Sequence, residues 1–254
     1  MEESTLEKLL EELYEWVEAY IKTFYTEDPE IQSMILLKEE HTKYVIEISK
    51  DLANALKLNK HDCILAEMIG LFHDIGRFKQ YSLYQTFNDK ISENHSLLGL
   101  KEIKNLALLN RLSETDLQTF RFAIENHNAM EIAKTDNLRN QLFAKIIRDA
   151  DKLDIYRVLS PMLKPSDGSG YNQEFMELFL QGRQCDYSLI KTHDDQKLVR
   201  LLWMYDIYFG WTMRKIMERG YVEEIVQYLP QDEITRKGVE RLKMHMLKIA
   251  NNEE

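Results

Sequence analysis
The sequence predicts an all-α protein. Nine glycines and four prolines in 254 residues are few, Leu, Glu, Lys, Ile and Met dominate, and apolar residues recur at spacings of three and four through most of the chain. The length is enough to bury a substantial core. The expected organisation is a helical bundle over residues 1–170 with a helical extension, 171–254, packed on it as one structural unit.

Leu6, Leu9, Leu10, Leu13, Val17, Tyr20, Ile21 and Phe24 form the apolar stripe of a first helix that ends near Asp28 and Pro29. Ile31, Ile35, Tyr44, Val45, Ile48 and Leu52 form the stripe of a second, and His41 sits among these inward-facing positions. Residues 59–62 turn the chain, and Asp62 is the expected cap of a third helix that ends at His73 and Asp74. From 76 to 94 the period is lost, with Phe78, Tyr81, Tyr84 and Phe87 scattered among polar residues, which predicts an ordered loop over a site. Helical spacing returns over 95–110, with Ser92 as the expected cap. It returns again from Ser113 or Thr115 to His127, and over 138–159, where the helix carries Asp151. Pro161, Pro165 and the run Ser166-Asp167-Gly168-Ser169-Gly170 predict a linker. Residues 198–213 then form an aromatic-rich helical segment suited to core or oligomer contact, which allows a homodimer without requiring one.

A net charge of −10 and the lack of a basic stripe oppose a nucleic-acid polymer as partner. No apolar stretch approaches the length of a membrane span, and the N-terminus is acidic and amphipathic. Cys63 and Cys185 are far apart and lack zinc-ribbon or redox spacing, as expected of reduced thiols in a cytoplasmic protein.

The chemistry concentrates in an ordered series of imidazoles and carboxylates: His41, the adjacent pair His73 and Asp74, His95, His127, and Asp149 or Asp151. The pair ends an apolar helical run, where a histidine beside an aspartate is costly to bury without a partner such as a metal. Imidazole with carboxylate suits iron, manganese, zinc, cobalt or nickel, and the absence of a nearby cysteine opposes a thiolate zinc site. Asp149 and Asp151 lie two positions apart on one helix, so they point to nearly opposite faces. Arg77 lies one turn beyond the pair, and Lys152 follows Asp151 directly. Asn94 and Asn128 flank the series and either orient the histidines, hold substrate, or make capping and loop hydrogen bonds. His61, His193 and His245 lie outside the series, in expected surface or capping positions.

These residues resemble the HD-domain metal-dependent phosphohydrolases, whose pattern is a histidine, a His-Asp doublet and a distant aspartate. The match runs over about residues 38–160, with His41, His73, Asp74 and Asp151 filling the pattern, the last within Ala150-Asp151-Lys152-Leu153. The run His73-Asp74-Ile75-Gly76-Arg77-Phe78, with Thr86-Phe87-Asn88-Asp89 and Ser92-Glu93-Asn94-His95 after it, is similar to a bacterial subgroup. The resemblance implies an all-helical fold and one or two divalent metals. With two, Asp74 would bridge, His41, His73 and Asp151 would complete one site, and His95 and His127 the other. It further implies hydrolysis of a small phosphorylated substrate, such as a nucleotide or dinucleotide, by a metal-activated hydroxide, with Asp74, Arg77 and Lys152 as the catalytic residues: Arg77 donates to the phosphate or serves a surface salt bridge, and Lys152 faces either the phosphate or solvent. Asn128 after His127, and the absence of a GYP motif, depart from the cyclic-di-GMP phosphodiesterase subgroup. Two alternatives remain from the same pattern: a di-iron oxygenase and a non-catalytic nucleotide-binding regulator.

Overall fold
The computed structural model describes residues 3–183 and 190–252, so Cys185 lies outside the described residues. Among these residues there are α-helices and short 3-10 turns and no strands, and the all-α expectation holds. The chain divides into two compact units, one through Asp151 and one from Lys152 onward. The division falls inside a helix, where the expected boundary lay in the linker near residue 170.

In the first unit, α1 (Glu3–Lys22) buries Leu6, Leu9, Leu10, Leu13, Val17 and Ile21. α2 (Pro29–Ala55) begins sharply because Asp28 accepts hydrogen bonds from the Glu30 and Ile31 amides and Pro29 occupies the first turn. Its buried stripe runs from Ile35 through His41, Thr42, Val45, Ile48 and Ser49 to Leu52, so the histidine shares the face that packs inward. α3 (Lys60–Phe72) is buried at every position from Ile64 onward and is the central helix of this unit. Gly70 permits its close approach to α2, since a methyl there would lie 3.1 Å from the Ile46 Cα. Trp16 of α1 stacks on Phe72 of α3 with ring centres 6.0 Å apart, and Phe120 meets Phe72 edge-on at 5.5 Å. Phe72 and Phe120, both fully buried, contribute about 1.5–3 kcal/mol each. The cap of α3 is Asn59, which accepts from the Asp62 amide; Asp62 itself pairs with Arg139 at 2.7 Å.

The region from 76 onward departs from the expected loop. α4 (Ile75–Tyr84) occupies its first half and ends at Gln85 in the left-handed conformation. The helix is short, and its fully buried Gln80 hides the apolar spacing of Ile75, Phe78 and Tyr81. Residues 85–94 then form the loop. Asn94, where Ser92 was expected, caps α5 (His95–Glu102) by accepting from the Ser96 and Leu97 amides. A 3-10 turn, Ala107–Arg111, replaces the end of the longer helix expected to 110. Ser113 caps α6 (Glu114–Asn126), and α7 (Leu138–Leu159) spans the expected residues.

In the second unit, α8 (Gln173–Gln181), α9 (His193–Leu202), α10 (Gly210–Glu218), α11 (Tyr221–Val226) and α12 (Glu233–Ala250) follow. The helix expected over 198–213 is broken, because a 3-10 turn at Trp203–Asp206 separates α9 from α10. α9 opens on a capping box between Thr192 and Asp195, and Lys197 is buried in an ion pair with Asp194 at 2.7 Å. None of the described helices is long and apolar enough to cross a membrane.

Candidate metal centre
Six helix ends or faces converge on one cluster. α2 supplies His41 from its buried stripe; His73 and Asp74 sit where α3 stops and α4 starts. His95 opens α5, His127 closes α6, and α7 contributes Asp151. His41, His73, Asp74, His95 and His127 are buried, and the Asp151 side chain is 15% exposed. Their donor atoms fall into two trios: His41, His73 and Asp151, and Asp74, His95 and His127. Within each trio the atoms lie within 4.8 Å of one another.

The Asp74 carboxylate faces both trios. Its Oδ2 lies 3.6 Å from His41 Nε2 and 3.7 Å from His73 Nε2, and its Oδ1 lies 3.2 Å from His95 Nε2 and 3.7 Å from His127 Nε2. Asp151 Oδ1 stands 3.1 Å from His41 Nε2 and 3.9 Å from His73 Nε2. Asp151 is therefore the aspartate of α7 that the fold brings to the histidines, while Asp149 is fully buried elsewhere on the helix.

Second nitrogens fix the rings. His73 Nδ1 donates to the Gly70 carbonyl at 2.7 Å, and His127 Nδ1 to the Ile124 carbonyl at 2.6 Å. His95 Nδ1 lies 2.7 Å from Asp89 Oδ2. A carbonyl only accepts, so in the neutral rings each Nδ1 carries the proton and each Nε2 presents a lone pair to the cluster. His95 Nε2 and His127 Nε2 then face each other 2.9 Å apart with no proton between them, and His41 Nε2 lies 3.4 Å from His73 Nε2. Burial keeps His73 and His127 neutral: it pushes His73 down to about 4 against the opposing pull of Asp74 and Asp151, and it also lowers His127. Converging lone pairs and carboxylate oxygens are what a divalent cation satisfies, so the donor set fits the metal its residue types suggest.

The His73 shift has a consequence for the metal-free protein. Its folded pKa of about 4 lies below the ordinary 6.5, so the unfolded chain binds a proton first as pH falls through that window, and stability is lost. Chelator-treated protein is expected to lose about 2 kcal/mol between pH 7 and pH 5. Urea unfolding at the two pH values reads this directly, and a stability that stays flat or rises on acidification would contradict it.

Asp89, Arg148 and Lys38 are parts of the site that the sequence did not reveal. Asp89 accepts from His95, from Gln80 at 2.8 Å, from Arg77 at 3.0 Å and from Asn128 at 3.0 Å. Burial would raise its pKa, but the His95 hydrogen bond, the Arg77 charge and the Gln80 hydrogen bond outweigh burial and hold the carboxylate well below the usual range. Asn128 thus orients His95 through Asp89, and Asn94 is a helix cap. Arg148, 3% exposed, donates to the carbonyls of Asn126 at 2.8 Å and Ala129 at 2.5 Å, clamping the turn that holds His127. Lys38 Nζ lies 2.7 Å from Asp74 Oδ2; burial would raise the Asp74 pKa, and this ammonium is the foremost group that lowers it below the usual range. Asp89→Ala is expected to weaken metal binding about ten- to a hundredfold by freeing the His95 ring. Calorimetric titration measures this, and unchanged affinity would count against the orienting role.

The remaining expected residues lie as follows. Arg77 Nη1 is held by the Phe87 carbonyl at 2.6 Å, by Asp89 and by Gln80, and its Nε lies 3.4 Å from Asp74 Oδ1, so the residue braces the 85–94 loop. Lys152 belongs to the second unit and pairs with Asp206 at 2.7 Å. His61 pairs with Asp116 at 3.1 Å, His193 opens α9, and His245 packs on the Tyr205 ring.

No curated protein and no solved structure matches the chain. A family model described as HD domain matches residues 39–156, a span that contains every clustered ligand from His41 to Asp151. On that match, residues 39–156 form an HD domain.

Proposed function
We propose that the protein is a metal-dependent phosphohydrolase acting on a small phosphate ester, with nucleotides and dinucleotides as the first candidates. HD domains bind divalent metals and are typically those of metal-dependent hydrolases. The observation that carries the reading is the Asp74 carboxylate, one oxygen turned to His41 and His73 and the other to His95 and His127. A carboxylate so shared suits two cations, with His41, His73 and Asp151 completing one ligand set and His95 and His127 the other. Bound there, divalent cations would acidify water toward neutral pH and offset the charge that grows on phosphoryl oxygens.

The protein's own residues do the rest. The Gly70 and Ile124 carbonyls and Asp89 hold three imidazoles with Nε2 inward. Burial keeps solvent from the histidines and keeps His73 and His127 unprotonated near neutral pH. The short loop braced by Arg77 and Gln80 keeps Asp89 against His95.

Metal-loaded protein screened against nucleotides, phosphomonoesters and phosphodiesters is expected to show turnover that needs no dioxygen and that Asp74→Ala abolishes. Turnover that survives Asp74→Ala, or none across the panel, would contradict the reading. A set of four imidazoles and two carboxylates also suits iron. Dioxygen consumption by iron-loaded protein, with no phosphate release, would support an oxygenase in its place.

A further inference from the structure
The ligand set leaves one charged group of the site without a role. Lys38 lies on α2 one turn before His41, with its side chain 16% exposed. Its ammonium holds Asp74 Oδ2, the oxygen turned toward His41 and His73, at 2.7 Å. It also stands 5.4 Å from the centre of the Phe87 ring, and the Arg77 guanidinium approaches the same ring at 5.8 Å. The two cations differ in what else restrains them. Arg77 is tied to the loop through Phe87, Asp89 and Gln80. For the Lys38 ammonium, Asp74 is the one hydrogen-bond partner among the described residues, so two of its three donors are uncommitted.

We propose that Lys38 is an exchange cation: the counter-ion of Asp74 while the ligand set holds no metal, and the group that binds the substrate's phosphoryl oxygens once divalent cations hold that carboxylate. The assignment rests on the phosphohydrolase reading above. A buried carboxylate requires positive charge beside it, and the lysine supplies it from the same oxygen that faces the first ligand trio. With the carboxylate satisfied by cations, the ammonium is repelled from them by like charge. Its flexible stem lets it turn away, and the Phe87 face keeps it at the rim. An anion arriving at the site then meets a lysine with three free donors. A substrate carrying a phosphoryl dianion fits this arrangement, and a neutral one gains nothing from it.

The test compares the intact chain with Lys38→Met, which keeps the stem, and Lys38→Arg, which keeps the charge. Metal content is measured on each, inorganic phosphate is titrated calorimetrically into the metal-loaded proteins, and melting temperatures are recorded before and after loading. In Lys38→Met, metal content is expected to stay at the intact chain's level while phosphate binds about ten- to a hundredfold more weakly. Lys38→Arg is expected to keep most of the phosphate affinity. The melting temperature should rise more on metal loading in Lys38→Met than in the intact chain, because its metal-free form has lost the counter-ion of a buried carboxylate. Unchanged phosphate affinity with full metal content would overturn the Lys38 assignment and leave the phosphohydrolase reading standing. Collapse of metal content in Lys38→Met would also overturn it, by making the lysine part of the metal site. An intact chain that takes up no metal would sink both.

Discussion

Asp74→Ala is expected to strip bound metal from the protein and to lower phosphohydrolase turnover by about a thousandfold or more. The magnitude follows from position. Every other ligand belongs to one trio, whereas both Asp74 oxygens are in use, one toward His41 and His73 and the other toward His95 and His127. Truncation also removes the partner of Lys38 and leaves an ammonium where cations would sit. The helical circular dichroism spectrum should persist, since α3 and α4 are held by apolar packing from Ile64 to Phe72 and at Ile75, Phe78 and Tyr81. A variant that retains its metal and its rate would show that the carboxylate is not shared between the two halves of the site.

Gly76→Ala is expected to damage the fold itself. A methyl at this position would overlap the carbonyl oxygen of His95 and stand 2.5 Å from the Gly99 backbone nitrogen. Both are backbone atoms that no rotamer change can move, so α4 and α5 would have to separate. Overpacking of this kind costs about 3–5 kcal/mol, or about 10 °C in melting temperature for a chain of this size. Because His95 opens α5, the separation would also withdraw a ligand, and metal affinity should fall with stability. A melting temperature within a degree or two of the intact chain would show that the helices are less tightly crossed than this geometry requires.

The clustered series of imidazoles and carboxylates was legible in the sequence because its residue types are expensive to bury and rare on apolar helix faces. His41 stood out on an inward stripe, and His73 with Asp74 at the end of a run that is buried throughout. The choice between Asp149 and Asp151 required the resemblance, since periodicity alone says only that the two face apart. α4 was hidden by length and by Gln80, a buried amide that braces the loop through Asp89, Ser92 and the Glu93 carbonyl. Such a residue reads as solvent-facing until its partners are known. Asp89 carried a weak signal, six residues before His95 in a polar loop, and Lys38 carried one three residues before His41. Neither spacing says which atom would be met. Arg77 shows the limit from the other side: its chemistry suits a phosphate, yet the fold commits its Nη1 to Phe87, Asp89 and Gln80.

The most direct test of the shared-carboxylate centre is metal content per chain, by plasma mass spectrometry, on untagged protein and on His127→Ala. About two ions per chain in the intact protein, falling to about one when the His127 imidazole is removed, is the result the two-trio geometry predicts. A single ion that His127→Ala leaves in place, or no ion after reconstitution with iron, manganese, zinc, cobalt or nickel, would contradict it.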